Sequence, residues 1–437
     1  MIDTQKPRKS ATFSWILYDF ANTAFSMNVV SFYFSTWIII DLTQKDAVVS
    51  IANSLSMVLV ALTLPVLGDW SDRKGKKIFS LAVFTGMCII GTFLLGIVGL
   101  YFANISLIIL SAFIIFVVAN YGYQGGLVFY NALMPGVSTP KTIGRISGYG
   151  VALGYLGSIT GLLVAGIFVD GEIFGQDVGI RAGGASAAFI PTAVLFFVFA
   201  LPIFIFVKEP PLPGGQKASW KIRESYSRVI QALKNTKRHP GLTRFLVAKF
   251  LYEDSIETII IYMGVYAQSV IGFSILETKQ FFIALIPSAI VGSALCGILT
   301  DHYGPKKTLM VIIFLWIVTL LSVILTSNST LFYIQGGLIG ALMGSTWTSA
   351  RPLLISLVPK ENLGEFFGLY ALSGKAAAVT GPLVWSSVTF AFDKYGISFK
   401  YKAALFALMI IMSAGFYILR LVPDFHRKEE SDSAIRS

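Results

Sequence analysis

Hydrophobic positions in this chain neither alternate with a strand period nor recur on a single helical stripe. They run almost unbroken for about 20 residues at a time and stop at clusters of glycine, proline or charge, the pattern of helices that cross a bilayer. Twelve such spans can be drawn: residues 13–40, 48–69, 78–101, 107–131, 142–169 and 187–207, then 241–271, 279–300, 308–326, 330–358, 364–392 and 401–422. Between the sixth and seventh lies a polar stretch opening with Glu209-Pro210-Pro211. It marks residues 208–240 as a linker joining two six-span halves, 1–207 and 241–437.

The two halves repeat each other. Gly68-Asp69-Trp70-Ser71-Asp72-Arg73-Lys74-Gly75-Lys76-Lys77, between spans 2 and 3, returns between spans 8 and 9 as Gly297-Ile298-Leu299-Thr300-Asp301-His302-Tyr303-Gly304-Pro305-Lys306-Lys307. In both copies an apolar run ends in Gly, Asp follows one helical turn later, and a second Gly precedes the lysines. Leu17-Tyr18-Asp19 likewise matches Leu251-Tyr252-Glu253, and Gly144, Gly148, Gly154, Thr160 and Gly161 recur as Gly364, Gly368, Gly374, Thr380 and Gly381. One structural unit has been used twice, which predicts an all-α integral membrane fold of twelve helices with pseudo-two-fold symmetry.

Composition supports that class. The chain is 55% hydrophobic and 13% charged with a mean hydropathy of +0.73, more apolar surface than a soluble core could hide. A net charge of +11 and a pI near 9.4 invite a nucleic-acid partner, but the position of the cations excludes one. Of the 34 Lys and Arg side chains, 26 fall on even-numbered connections, the linker and the termini, against six (Lys45, Arg181, Lys279, Lys394, Lys400 and Lys402) on odd-numbered ones. This bias is a topology signal that places both termini in the cytoplasm. Cys88 and Cys296 lie inside apolar spans and read as packing residues. Residues 1–10 have no apolar core of their own, so span 1 is expected to direct insertion with no cleaved signal peptide.

Polar residues inside the spans are the candidate chemistry, because ionisable groups in a bilayer are costly and mark solute or ion paths. Span 1 carries Tyr18, Asp19, Asn22 and Ser26 on one helical face, and span 4 closes with Asn120, Tyr121, Tyr123, Gln124, Tyr130 and Asn131. Span 7 is the most charged: Lys249, Glu253 and Glu257 follow one another at i, i+4, i+8, with Asp254 bordering them. Span 10 adds Gln335, Trp347 and Arg351, and span 11 has Lys375 near its middle. The competing explanation is a static set of buried hydrogen bonds and ion pairs holding helices together. The glycines of span 5 are read as packing, not as a phosphate loop. No HExxH, phosphate loop or Cys/His cluster is present, and His239, His302 and His426 all lie in connections, so neither metal nor cofactor is expected. Paired intramembrane carboxylates could make an aspartyl protease, but Asp69 follows Val66-Leu67-Gly68 instead of Gly-x-Gly.

With the repeated GxxxD(R)xxGxK(K) motif at those two turns, the chain resembles the major facilitator superfamily. Within it, the segment from Trp15 to Phe25, the segment from Tyr130 to Gly157, and Glu365-Phe366-Phe367-Gly368-Leu369-Tyr370-Ala371-Leu372-Ser373-Gly374-Lys375 resemble the autophagy-related vacuolar effluxer branch and its prokaryotic relatives. Tyr252-Glu253-Asp254-Ser255 departs from the Tyr-x-Asp-Gly pattern of that branch. The resemblance implies a secondary transporter in which two halves rock around a mid-membrane site lined by spans 1, 4, 7 and 10. Its eukaryotic members are associated with amino-acid export from vacuoles.

On this basis Asp19, Asn22, Asn120, Gln124, Lys249, Glu253, Asp254, Glu257, Gln335, Trp347 and Lys375 are the candidate substrate and coupling residues. Gly68, Asp72, Arg73, Gly75, Arg145, Asp301, Gly304, Arg351 and Glu365 are candidates for a cytoplasmic gate. Asp72 and Asp301 are expected to accept backbone N–H groups at the starts of spans 11 and 5, with side-chain pairs Asp301–Arg145 and Glu365–Arg73. Expected partners are a small polar solute, with an amino acid or similar zwitterion favoured, the lipid bilayer, and protons as a candidate coupling ion. A monomer in a prokaryotic plasma membrane is expected. A transporter-fold sensor and a lipid scramblase remain alternatives. Residues 220–238 are expected to lie as an amphipathic helix on the inner surface.

Overall fold

The computed structural model describes residues 7–173, 176–209, 224–227 and 241–424. Twelve long helices are found among them: α1 Lys9–Asp41, α2 Asp46–Lys74, α3 Lys77–Tyr101, α4 Ile105–Ala132, α5 Ile143–Asp170, α6 Phe189–Phe206, α7 Leu242–Tyr266, α8 Ile275–Tyr303, α9 Pro305–Leu325, α10 Ser329–Leu357, α11 Leu363–Ala391 and α12 Ile397–Arg420. Nine helical segments among the described residues are long and apolar enough to cross a membrane. α7 is not one of them, because Lys249, Glu253, Asp254 and Glu257 interrupt its apolar run. Of the stretch 220–238, only residues 224–227 are described, so the expected amphipathic helix falls largely outside the described residues.

The chain separates into two compact units: Met1–Thr139 with Leu153–Ser225 and Glu361–Gly368, and Pro140–Ala152 with Tyr226–Lys360 and Leu369–Ser437. In the first, α1 packs on α6, α2 and α3 on α4, and α3 on α6. In the second, α7 packs on α12, α8 and α9 on α10, and α9 on α12. These are the same four pairings shifted by six helices, as duplication requires.

Local signals repeat as well. Asn104 caps α4 by accepting the Leu107 N–H (3.1 Å), and Asn328 caps α10 by accepting that of Leu331 (2.9 Å). Gly75 ends α2 at φ +59° and Gly304 ends α8 at φ +85°, left-handed geometry that a side chain resists, so the two motif glycines let the chain reverse. α8 starts at a Ser274/Glu277 capping box, ahead of the boundary drawn from hydropathy. α1 passes into π geometry at Ser26–Tyr33 and Thr36–Asp41, and α7 continues into it at Ala267–Ile271.

Large aromatics fill each unit. Trp15 stacks on Tyr130 (4.3 Å between centroids), which stacks on Tyr18 (5.0 Å), while Trp15 donates its indole N–H to the Tyr130 carbonyl (2.9 Å). In the second unit Phe281 stacks on Phe332 (4.8 Å). Asn28 joins three helices of the first unit through its Nδ2, which donates to the Gly161 carbonyl (2.9 Å) and the Thr192 hydroxyl (2.8 Å).

Candidate transport site and motif contacts

In the first unit the motif works through one helical turn. Gly68 and Asp72 share a face of α2, and the start of α11 lies against it: a side chain at Gly68 would strike the Gly364 backbone, and one at Gly364 would meet Gly68 O at 2.9 Å and the Asp72 carboxylate at 3.1 Å. The absent side chains bring the two backbones close enough for Asp72 Oδ2 to accept the Glu365 N–H at 3.0 Å. Asp72 Oδ1 pairs with Lys77 Nζ at 2.9 Å. A carboxylate at a helix start meets the exposed N–H groups and the positive end of the dipole.

The second unit repeats the device. Asp301 Oδ1 accepts the Gly144 N–H (2.6 Å), and its Oδ2 accepts the Arg145 N–H (3.2 Å) and Nε–H (2.7 Å). A side chain at Gly144 would meet Gly297 O at 2.5 Å, and one at Gly297 would meet Gly144 O at 2.6 Å. The expected Asp301–Arg145 pair is therefore present. The expected Glu365–Arg73 pair is not: Arg73 Nε turns to Asp69 at 2.9 Å, one turn back on its own helix, where the partner is held without loop rearrangement. Glu365 is buried.

Three residues outside the expected gate complete the first contact. Lys77 neutralises Asp72. Glu209 caps α3 by accepting the N–H groups of Lys77 (2.6 Å) and Ile78 (3.1 Å). Ser225, in the linker, donates its hydroxyl to Asp69 Oδ2. The lysine run pointed to Lys77, whereas nothing in the local sequence of the linker marks Ser225.

The charged face of α7 lies buried against α11. Lys249, Glu253 and Asp254 are buried, and Glu257 and Lys375 half-buried. Lys249 Nζ pairs with Glu253 Oε2, one turn on, and sits 3.9 Å from the centre of the Tyr370 ring. Asp254 accepts the hydroxyl of Thr380. Glu257 and Lys375 lie within each other's electrostatic reach. Glycines on α11 make room: a side chain at Gly374 would meet Glu253 Oε2 at 2.6 Å and Lys249 Nζ at 2.8 Å, and one at Gly381 would meet the Asp254 carbonyl at 2.6 Å. Arg351, half-buried on α10, reaches Tyr370 electrostatically and so neighbours this cluster. Tyr370 and Thr380 were not among the expected site residues, since a neutral ring or hydroxyl in an apolar span carries no signal until its partner is known.

The remaining candidates divide. Asn120 donates to Asn53 Oδ1 on α2 (2.9 Å), and Gln335 donates to Ser322 Oγ on α9 (2.7 Å), so both hold neighbouring helices. Asp19, Asn22 and Gln124 are buried in the first unit, and among the described residues Asn22 Oδ1 accepts no hydrogen bond. Trp347 is half-buried on α10.

A family model described as vacuole effluxer Atg22 like matches residues 42–432. The chain belongs to this family. As an Atg22-like protein it is a major facilitator superfamily transporter, and its relatives agree. It is 27% identical to the uncharacterized MFS-type transporter YxiO of Bacillus subtilis (strain 168), over 94% of each chain. It is 26% identical to the multidrug resistance protein MdtG of Salmonella heidelberg (strain SL476), over 78% of each. Its fold is similar to that of the MFS transporter FucP in the outward conformation (TM-score 0.73, 13% identity, 95% of this chain and 99% of that one). It is also similar to a bacterial homologue of the iron transporter ferroportin in the outward-facing state (TM-score 0.68, 13% identity, 94% and 97%). The twelve-helix major facilitator fold makes this Atg22-like chain a multi-pass integral membrane protein.

Proposed function

We propose that this transporter moves a small zwitterionic solute, an amino acid or a close analogue, by alternating access coupled to protons, and that the α7 cluster is where solute and proton meet. The observation that carries the proposal is the buried Lys249–Glu253 pair with Asp254, Glu257 and Lys375 gathered around it. A charged residue at the centre of a span costs about 3 kcal/mol on insertion scales, so five on two adjacent helices are a burden that use would justify. Cations and carboxylates side by side offer a carboxylate receptor and an amine receptor to one zwitterion. A carboxylate whose cation is taken by the solute becomes a proton acceptor in a dry environment.

The halves 1–207 and 241–437 are proposed to rock as a monomer in a prokaryotic plasma membrane with both termini cytoplasmic. The Asp72 and Asp301 contacts are proposed as the latch that forms in one state and opens in the other. Glu253→Gln, Asp254→Asn and Glu257→Gln should each abolish accumulation driven by a pH gradient in proteoliposomes while sparing exchange of labelled substrate at equal pH. Wild-type accumulation by all three variants would rule out coupling through α7. A thermal-shift screen would identify the solute, because a ligand that binds only the folded state raises its melting temperature. Stabilisation by drugs and not by amino acids would replace the zwitterion with the cargo class suggested by the relatives named multidrug resistance proteins.

A further inference from the structure

The first unit carries a groove that takes no part in the proposed transport path, lying where α3 and α5 end and α6 begins. Its walls are apolar, with Leu100 from α3, Val164 and Phe168 from α5, and Val194 and Phe199 from α6. Among the described residues, Arg181, in the connection that leads into α6, is its one charged lining residue. Arg181 is exposed, and none of the ion pairs among the described residues involves it. It is also one of only six cations on the odd-numbered connections, where the topology bias keeps cations scarce.

The lining follows α6 from Ile190 to Phe199, about 14 Å of axis at 1.5 Å per residue. One leaflet of hydrocarbon is about 15 Å deep, half of a 30 Å core. The groove is therefore about as long as a leaflet is deep, dry along its walls, and cationic at the end where α6 meets the membrane boundary. These features fit an amphiphile with one extended apolar chain and one anionic end. They do not fit a polar solute, which would find no hydrogen-bonding wall.

We propose that the groove binds a phospholipid, with one acyl chain lying along α6 and Arg181 holding the phosphate of an anionic headgroup. The groove is open along its length, so the second chain stays in the bilayer, which favours a two-chain lipid over a free fatty acid. Guanidinium suits a phosphate because two parallel N–H groups match two oxygens.

The test uses the full chain purified in detergent and titrated with phosphatidylglycerol, phosphatidylcholine or oleate, with bound copies counted by native mass spectrometry. Wild type should retain phosphatidylglycerol about fivefold better than phosphatidylcholine, the effect of one cation near an anionic surface. Arg181→Gln should bring the two to parity. Val194→Trp, at a side chain 53% exposed, should fill the groove and remove both lipids without disturbing the core. An unchanged preference in Arg181→Gln, wild-type occupancy in Val194→Trp, or oleate bound as tightly as phosphatidylglycerol would each overturn the assignment.

Discussion

Replacing Asp301 with Asn removes a charge and one acceptor oxygen while keeping the side-chain volume, so it isolates the α5 contact from packing. Asp301 accepts Gly144 N–H at 2.6 Å and two donors of Arg145 at 3.2 and 2.7 Å. The amide oxygen of Asn can keep the Gly144 bond, but its NH2 then faces the Arg145 donors. A charge-assisted hydrogen bond contributes about 1.5–3 kcal/mol. Arg145 is 44% exposed, and screening holds its share to the low end of that range. Losing the anion at the α5 N-terminus adds about 0.3–1 kcal/mol. The sum, about 2 kcal/mol, corresponds to a roughly 30-fold fall in the docked-to-undocked ratio at 1.4 kcal/mol per factor of ten. Both native cysteines are buried, so a reporter can be placed at Ser147, buried in the docked turn of α5. Ser147→Cys should react with a maleimide about 30-fold faster when Asp301→Asn is added, with undocking as a rapid pre-equilibrium. A labelling rate within twofold of the Ser147→Cys parent would refute the idea that the Asp301 contact holds the start of α5 closed.

Two further outcomes follow from the same geometry. Gly381→Ala should lower the melting temperature in detergent, because the new methyl lies 2.6 Å from the Asp254 carbonyl; separating α7 and α11 to relieve that contact costs about 1–3 kcal/mol, and an unchanged melting temperature would show the two helices to be loosely packed. At the start of α8, the Ser274 N–H holds the exposed Glu277 carboxyl below its usual range. Its folded value is depressed, so its stabilisation is present above the unfolded value and lost as pH falls through the folded one. Glu277→Gln should therefore flatten the acid side of the stability profile, as read by melting temperature between neutral pH and pH 3, and an unaltered slope would exclude the capping box as its source.

Much of this protein was legible without coordinates, because a bilayer leaves little choice: a run of about 20 apolar residues must close its own backbone hydrogen bonds as a helix. Hence the number of helices, the duplication and the motif turns could be read from spacing. Asp72 and Asp301 could also be matched to helix starts, since one turn separates each from the glycine that permits the approach. The tertiary structure decided which partner each polar group takes. Arg73 could have reached Glu365 by charge alone, yet Asp69, one turn away on the same rigid helix, is met first. Asn120 and Gln335 carry the same polarity signal as Asn22, but they bond to Asn53 and Ser322 on neighbouring helices. A helical wheel fixes which face a residue occupies, not which neighbour that face meets. Tyr370 under Lys249 and Thr380 on Asp254 were hidden for that reason: they lie on another helix more than a hundred residues along the chain, brought there by packing around Gly374 and Gly381.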